Sequence, residues 1–143
     1  MSREHEFIKS CDHSYIVKYV AHGTTSKEYF VVIRWIEGCV IEDRIEEFRR
    51  EFNAQLLRDQ FLADAEDIVR SLGRHNIIHR DISQRNIIIL ERKPYFFDFF
   101  WALWANGKNM YTPTNLMQFN DQQAVGLLQQ LLVEEAALDS LSR

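Results

Sequence analysis

Apolar positions change their period several times along the chain, and each change marks an element. Residues 4–10 read as a short helical segment. Residues 16–20 and 29–35 run or alternate apolar and are rich in Val, Ile and Tyr, which predicts strands. The turn-like stretch 21–27 between them makes the pair a β-hairpin, ended by Gly38. Residues 41–53 are charged, with Ile41, Ile45 and Phe48 three to four apart, the spacing of an amphipathic helix. Residues 56–72 repeat that spacing through Leu57, Phe61, Ala65, Ile68 and Leu72, and Gly73 follows as the expected C-cap. Residues 86–90 and 95–99 are two short buried strands about the turn Glu91-Arg92-Lys93-Pro94. Residues 100–120 read as irregular, and 124–138 as a final helix with Val125, Leu128, Leu131 and Leu132 on its apolar side. Strands and helices do not alternate as βαβ units, so the predicted class is α+β.

At 143 residues the chain has one domain's worth of length. Its 46% hydrophobic and 13% aromatic content can fill a core, which excludes whole-chain disorder. A net charge of −4 supplies no global basic field for nucleic acid. No run approaches the roughly 20 apolar residues that a membrane span needs; the most apolar stretch, 95–104, carries Asp98 in its middle. The polar start is no secretory signal, so the expected location is the cytoplasm, or a host cell's cytoplasm for a chain from a virus or pathogen. Cys11 and Cys39 are too few for a disulfide framework and are expected as reduced thiols. With His13 and His22 they lack zinc spacing, and Arg44, Arg49 and Arg50 read as a solvated helix face.

The chemistry concentrates in His79-Arg80-Asp81-Ile82-Ser83-Gln84-Arg85-Asn86, followed twelve residues later by Asp98 in Phe97-Asp98-Phe99-Phe100. A carboxylate inside an apolar run is costly unless something pairs with it. The bland alternative is a helix-end turn before a buried strand, with Asp98 in a structural ion pair.

The first segment resembles H-R-D-x-x-x-x-N, the catalytic loop of the protein kinase superfamily, and Asp98 stands where that family has its D-F-G aspartate. More of the chain then falls into register. His13 to Tyr19 resembles the segment between the family's helix αC and its fourth strand, which puts Glu4 at the αC glutamate. Residues 29–38 resemble the fifth strand and hinge, with Ile33 as gatekeeper. Residues 121–126 resemble the start of helix αF, with Gln123 where Trp is usual.

The resemblance implies a protein-kinase-like fold. Residues 1–36 would be an N-lobe remnant with αC, the fourth and fifth strands and the hinge, and residues 37–143 the core of the helical C-lobe. It implies ATP and Mg²⁺ as cofactors, since phosphoryl transfer needs a positioned hydroxyl and positive charge at the phosphates. Asp81 would accept or orient the substrate hydroxyl, with His79, Arg80 and Asn86 in the same catalytic loop. Asn86 and Asp98 would hold the metal. Adenine would meet backbone groups of Arg34, Trp35 and Ile36 in a cleft shared with Ile33 and Ile88, and Glu4 would serve the nucleotide from αC. Ile8, Tyr19, His79 and Phe99 would form the regulatory spine, anchored on Asp121. Arg80 would clamp a phosphorylated segment, with Tyr111, Thr112 and Thr114 as candidates, although 111–114 also reads as a plain exposed turn.

Departures from the family accompany these matches. Phe100 replaces the D-F-G glycine, and Ser83 replaces the lysine usual in serine/threonine kinases; Arg85 is shared with tyrosine kinases. The sequence shows no Gly-rich loop, no V-A-I-K lysine and no A-P-E. Three functions stay open. The first is a phosphotransferase acting on a protein substrate. The second is a non-catalytic module that binds or inhibits a partner kinase. The third is a kinase-like enzyme acting on a sugar or other small molecule. A two-stranded sheet is marginal alone, so the hairpin edge is expected to be covered, by more chain or by a partner, or else to associate.

Overall fold

A computed structural model of the chain describes residues 4–105 and 120–141, with side chains as far as residue 132 in the last helix. It is an α+β arrangement of four helices and seven short strands among those residues. The order is α1 (Glu4–Ser10), β1 (Tyr19–Thr24), β2 (Tyr29–Ile33), β3 (Cys39–Val40), a 3₁₀ turn (Ile41–Arg44) and α2 (Ile45–Glu51). Then follow α3 (Gln55–Arg74), β4 (Ile77–Ile78), β5 (Ile87–Leu90), β6 (Lys93–Phe96), β7 (Leu103–Trp104) and α4 (Asp121–Leu141).

The core forms where the periodic positions meet. Phe61, Ala65, Ile68 and Leu72 of α3 are wholly buried, as their spacing predicts, and face α4 through Val125, Leu128 and Leu132. α4 starts with a side-chain cap: Asn120 Oδ1 accepts the Gln123 N–H at 2.6 Å. The seven strands form three antiparallel sheets: β1–β2, β3–β5–β6 and β4–β7. None of the helices is long and apolar enough to cross a membrane among the described residues.

Several expected boundaries move. The first strand of the hairpin is 19–24, not 16–20. Ile16 and Val17 are buried instead against Phe96: Ile16 bridges it, and the Val17 N–H donates to its carbonyl at 3.1 Å. The hairpin turn tightens to 25–28, closed by the Thr25 N–H on the Glu28 carbonyl at 2.7 Å. The helix expected over 41–53 is a 3₁₀ turn and a seven-residue α-helix. Gly73 lies inside α3 rather than capping it, and the left-handed position is Asn76, with φ 59°. The β5–β6 turn is the pair Glu91-Arg92, both at positive φ, as a two-residue hairpin turn requires, while Pro94 pairs with Ile89 from an edge strand. The short β4–β7 ladder has no counterpart among the expected strands.

Gly38 shows why the chain can pass from β2 into β3. A Cβ there would stand 2.5 Å from the Ile89 carbonyl oxygen and 2.7 Å from Ile88 Cγ2. Gly38→Ala is expected to cost about 1–3 kcal/mol through overpacking. That is a fall of roughly 3–10 °C in the thermal midpoint, read by circular dichroism.

Candidate active site

The loop between β4 and β5 is held from both sides by buried polar groups. Asp121, at the start of α4, accepts the backbone N–H of His79 at 2.7 Å through Oδ2 and that of Arg80 at 2.9 Å through Oδ1. One carboxylate therefore satisfies two consecutive donors, each a charge-assisted bond. Arg80 sits at φ 70°, a left-handed geometry that costs an L-residue about 1–2 kcal/mol and that this clasp stabilises.

His79 is 1% exposed and its ring is fixed at both nitrogens. Nδ1 accepts the Asp81 N–H at 3.1 Å, which leaves Nε2 to donate to the Phe97 carbonyl at 2.9 Å. The ring also meets Phe99 edge-on, 4.7 Å between centroids. Asn86 closes the loop. Its Nδ2 donates to the Asp81 carbonyl oxygen at 2.9 Å and to Asp81 Oδ2 at 2.8 Å. The two bonds orient the Asp81 carboxylate and turn the Asn86 amide oxygen away from it.

Asp98 follows β6 at φ 59°, and its Oδ1 accepts the Phe100 N–H at 3.3 Å. Phe100 itself is not among the positive-φ residues, so the absence of glycine there carries no backbone penalty. The next residue, Phe99, donates its N–H to Glu4 Oε1 at 3.0 Å, across 95 positions of sequence. Burial raises the Glu4 carboxyl above its ordinary range; the Phe99 N–H opposes that rise, and the nearby Asp98 charge adds to it. Carboxylates thus approach one another at this end of the site, a field that favours a cation.

A cleft of about 730 Å³ lies between the hairpin and β5, within the size range of small-molecule sites. Ile33, Arg34, Trp35, Ile36 and Ile88 line it, so the residues singled out for the nucleotide base share one cavity. Phe97 joins it to the loop, since its carbonyl holds His79. Glu4 is not among the lining residues; it reaches the site through Phe99. The sequence reading missed Val40, Asp43 and Arg44 on the cleft wall. Their signal was only position, just beyond Gly38, where the 3₁₀ segment packs against β3 and β5.

Ile8, Phe99 and His79 are buried and Tyr19 is half-buried. Arg80 Nε and Nη1 are buried with no hydrogen-bond partner among the described residues. Burial lowers the Arg80 guanidinium, and the Asp121 charge opposes that. Tyr111, Thr112 and Thr114 lie outside the described residues. Cys11 is a free thiol whose Sγ donates to the Phe7 carbonyl at 3.1 Å; burial pushes it up to about 12, so it is no nucleophile at neutral pH.

The oxygen donors of Asn86 and Asp98 suit a hard cation such as Mg²⁺. One carboxylate and one amide are too few for an all-protein cage, and Mg²⁺ characteristically completes its shell with substrate phosphates and water. In comparison with known proteins, the family model for protein tyrosine and serine/threonine kinases matches residues 1–97. None of the curated proteins compared with the chain matches it.

Proposed function

The chain belongs to the protein tyrosine and serine/threonine kinase family, and from that premise we propose that it is an ATP- and Mg²⁺-dependent phosphotransferase acting on a protein hydroxyl. In this reading residues 1–36 are part of the N-terminal lobe and hinge, and residues 37–143 are the core of the C-terminal lobe.

The observation that carries the reading is the Asn86 amide bonded to Asp81 at both its backbone and its carboxylate. A base must be aimed before its basicity matters, and this pair aims Asp81. Asp81 takes the proton of the incoming hydroxyl. His79 and Asp121 hold the loop backbone so that the carboxylate keeps its place. Asn86 and Asp98 would hold the metal, which when bound would supply positive charge to the transferring phosphoryl group. The apolar cleft wall of Ile33, Ile36 and Ile88 would exclude water around an adenine ring, with residues 34–36 beside it.

Calorimetric titration with MgATP tests this, with Asp98→Asn as control. Binding weakened by more than about tenfold in the variant is expected, at least 1.4 kcal/mol. No binding to a folded wild-type chain would sink the nucleotide reading and favour a module that docks on a partner kinase. Its surface would then be the outer side of β2, where Phe30 and Val32 are 47% and 43% exposed.

A further inference from the structure

α1 is fastened to the β1–β2 hairpin by two stacked imidazoles. The rings of His5 and His22 lie 3.8 Å apart and 14° from parallel. The Tyr29 hydroxyl oxygen accepts the His5 backbone N–H at 3.3 Å, so its own proton is available to the His5 Nδ1 it also contacts. His22 Nδ1 is paired in the same manner with the Tyr19 hydroxyl at 2.7 Å. In the tautomer that carries its proton on Nε2, each Nδ1 accepts from its tyrosine hydroxyl, and a further proton on the ring takes that acceptor away. Two parallel rings do not aim their in-plane lone pairs at one point, so the pair is no metal site.

The stack sits one residue from a functional contact. Glu4, next to His5, is the residue that accepts the Phe99 N–H beside Asp98. Anything that parts α1 from the hairpin pulls on that bond.

We propose that the His5–His22 stack is a pH-sensitive fastening of α1: neutral rings hold Glu4 on Phe99, and protonation as pH falls through the histidine range parts them and loosens that contact. Like charges at this separation repel, and each added proton also removes an acceptor from a tyrosine hydroxyl. The groups facing the pair are few. Glu6 favours protonation of His5, whereas His22 and Lys9 oppose it. Lys9 also lies 4.9 Å above the Tyr19 ring, and Glu4, Glu6 and Tyr19 act on the Tyr29 hydroxyl. Partial burial, then His22, holds His5 below its ordinary value.

The sign follows from linkage. A histidine depressed in the folded state contributes its full stability above the unfolded value, near 6.5, and loses it as pH falls below that toward the folded value. Glu4 has the opposite sign. Its carboxyl is raised in the folded state, so its protonation relieves the cost of burial as pH falls. The two sensors are therefore distinguishable.

The test is amide exchange by NMR on the full chain between pH 7.5 and pH 5, reading the protection of the Phe99 amide relative to that of Ile68 in the core of α3. Protection at Phe99 is expected to fall several-fold in the wild type, as the open form takes up the protons that the closed stack excludes. His22→Gln removes the second charge and is expected to flatten the profile. His22→Phe keeps a stacked ring without a charge and serves should the glutamine variant unfold. A flat wild-type profile would overturn the proposal. So would a fall that persists in the His22 variants, because it would not depend on the second imidazole charge. The readout needs no phosphotransfer, so it stands or falls separately from the catalytic reading.

Discussion

Asp121→Ala is expected to lower the thermal midpoint by roughly 10–15 °C, among the largest single-residue effects outside the apolar core. The carboxylate is 7% exposed and accepts two backbone N–H groups of one loop, His79 and Arg80. Hydrogen bonds to a buried charge contribute about 1.5–3 kcal/mol each, and removal also leaves two donors unsatisfied. It further strands the Arg80 guanidinium, whose Nε and Nη1 are already buried without partners among the described residues and whose charge Asp121 supports. The sum is about 3–5 kcal/mol, a large share of the about 5–15 kcal/mol that holds a domain of this size. Asp121→Asn keeps one oxygen for one of the two donors and should lose about half as much. Differential scanning calorimetry reads both. A shift below about 3 °C for the alanine variant would mean that water replaces the clasp, and that the loop does not depend on α4.

Asp81→Asn is expected to lower the phosphotransfer rate by about 10²–10⁴-fold, the range for loss of a general base, while leaving the midpoint nearly unchanged. The stability expectation follows from the contacts. Asp81 is half-buried, and an asparagine at that position still offers an oxygen to Asn86 Nδ2. The rate expectation follows from what is lost, a carboxylate that can take a proton. The measurement is Mg²⁺-dependent transfer of labelled γ-phosphate, run in parallel on protein acceptors and on sugar or other small-molecule acceptors. Equal rates for wild type and variant would remove Asp81 from the chemistry. Transfer to small molecules alone would keep the base and replace the substrate class. Asp121→Ala should also lose activity, but together with stability, and that pairing separates a positioning residue from the base.

The residues of the site were legible because the loop is local. His79, Arg80, Asp81 and Asn86 fall within eight positions, and Asp98 follows after one hairpin. Once β5 and β6 pair, that short stretch must bring its polar groups near one another, as the Asn86–Asp81 bonds do. The α3 helix was legible for a related reason. Its burial repeats every three to four residues, and a repeat of that kind is written along the chain itself.

Boundaries were less legible where the competing partner is distant. Ile16 and Val17 have strand composition, but they are buried against Phe96, eighty residues away, so the hairpin starts three residues later. Gly73 has the residue type of a cap, but α3 runs on to Arg74, and the left-handed position falls to Asn76 before β4 pairs with β7. In each case a tertiary contact outweighed a local preference.

The amino-acid sequence by itself determined the α+β class, the α3 core stripe, and the order and spacing of the candidate catalytic groups. The tertiary structure alone decided which groups hold them: Asp121 on His79 and Arg80, Glu4 on Phe99, and His5 against His22. The physical reason is range. A periodic burial pattern or a loop motif is set by neighbours along the chain, whereas a hydrogen bond across 42 or 95 residues exists only after the chain has closed upon itself.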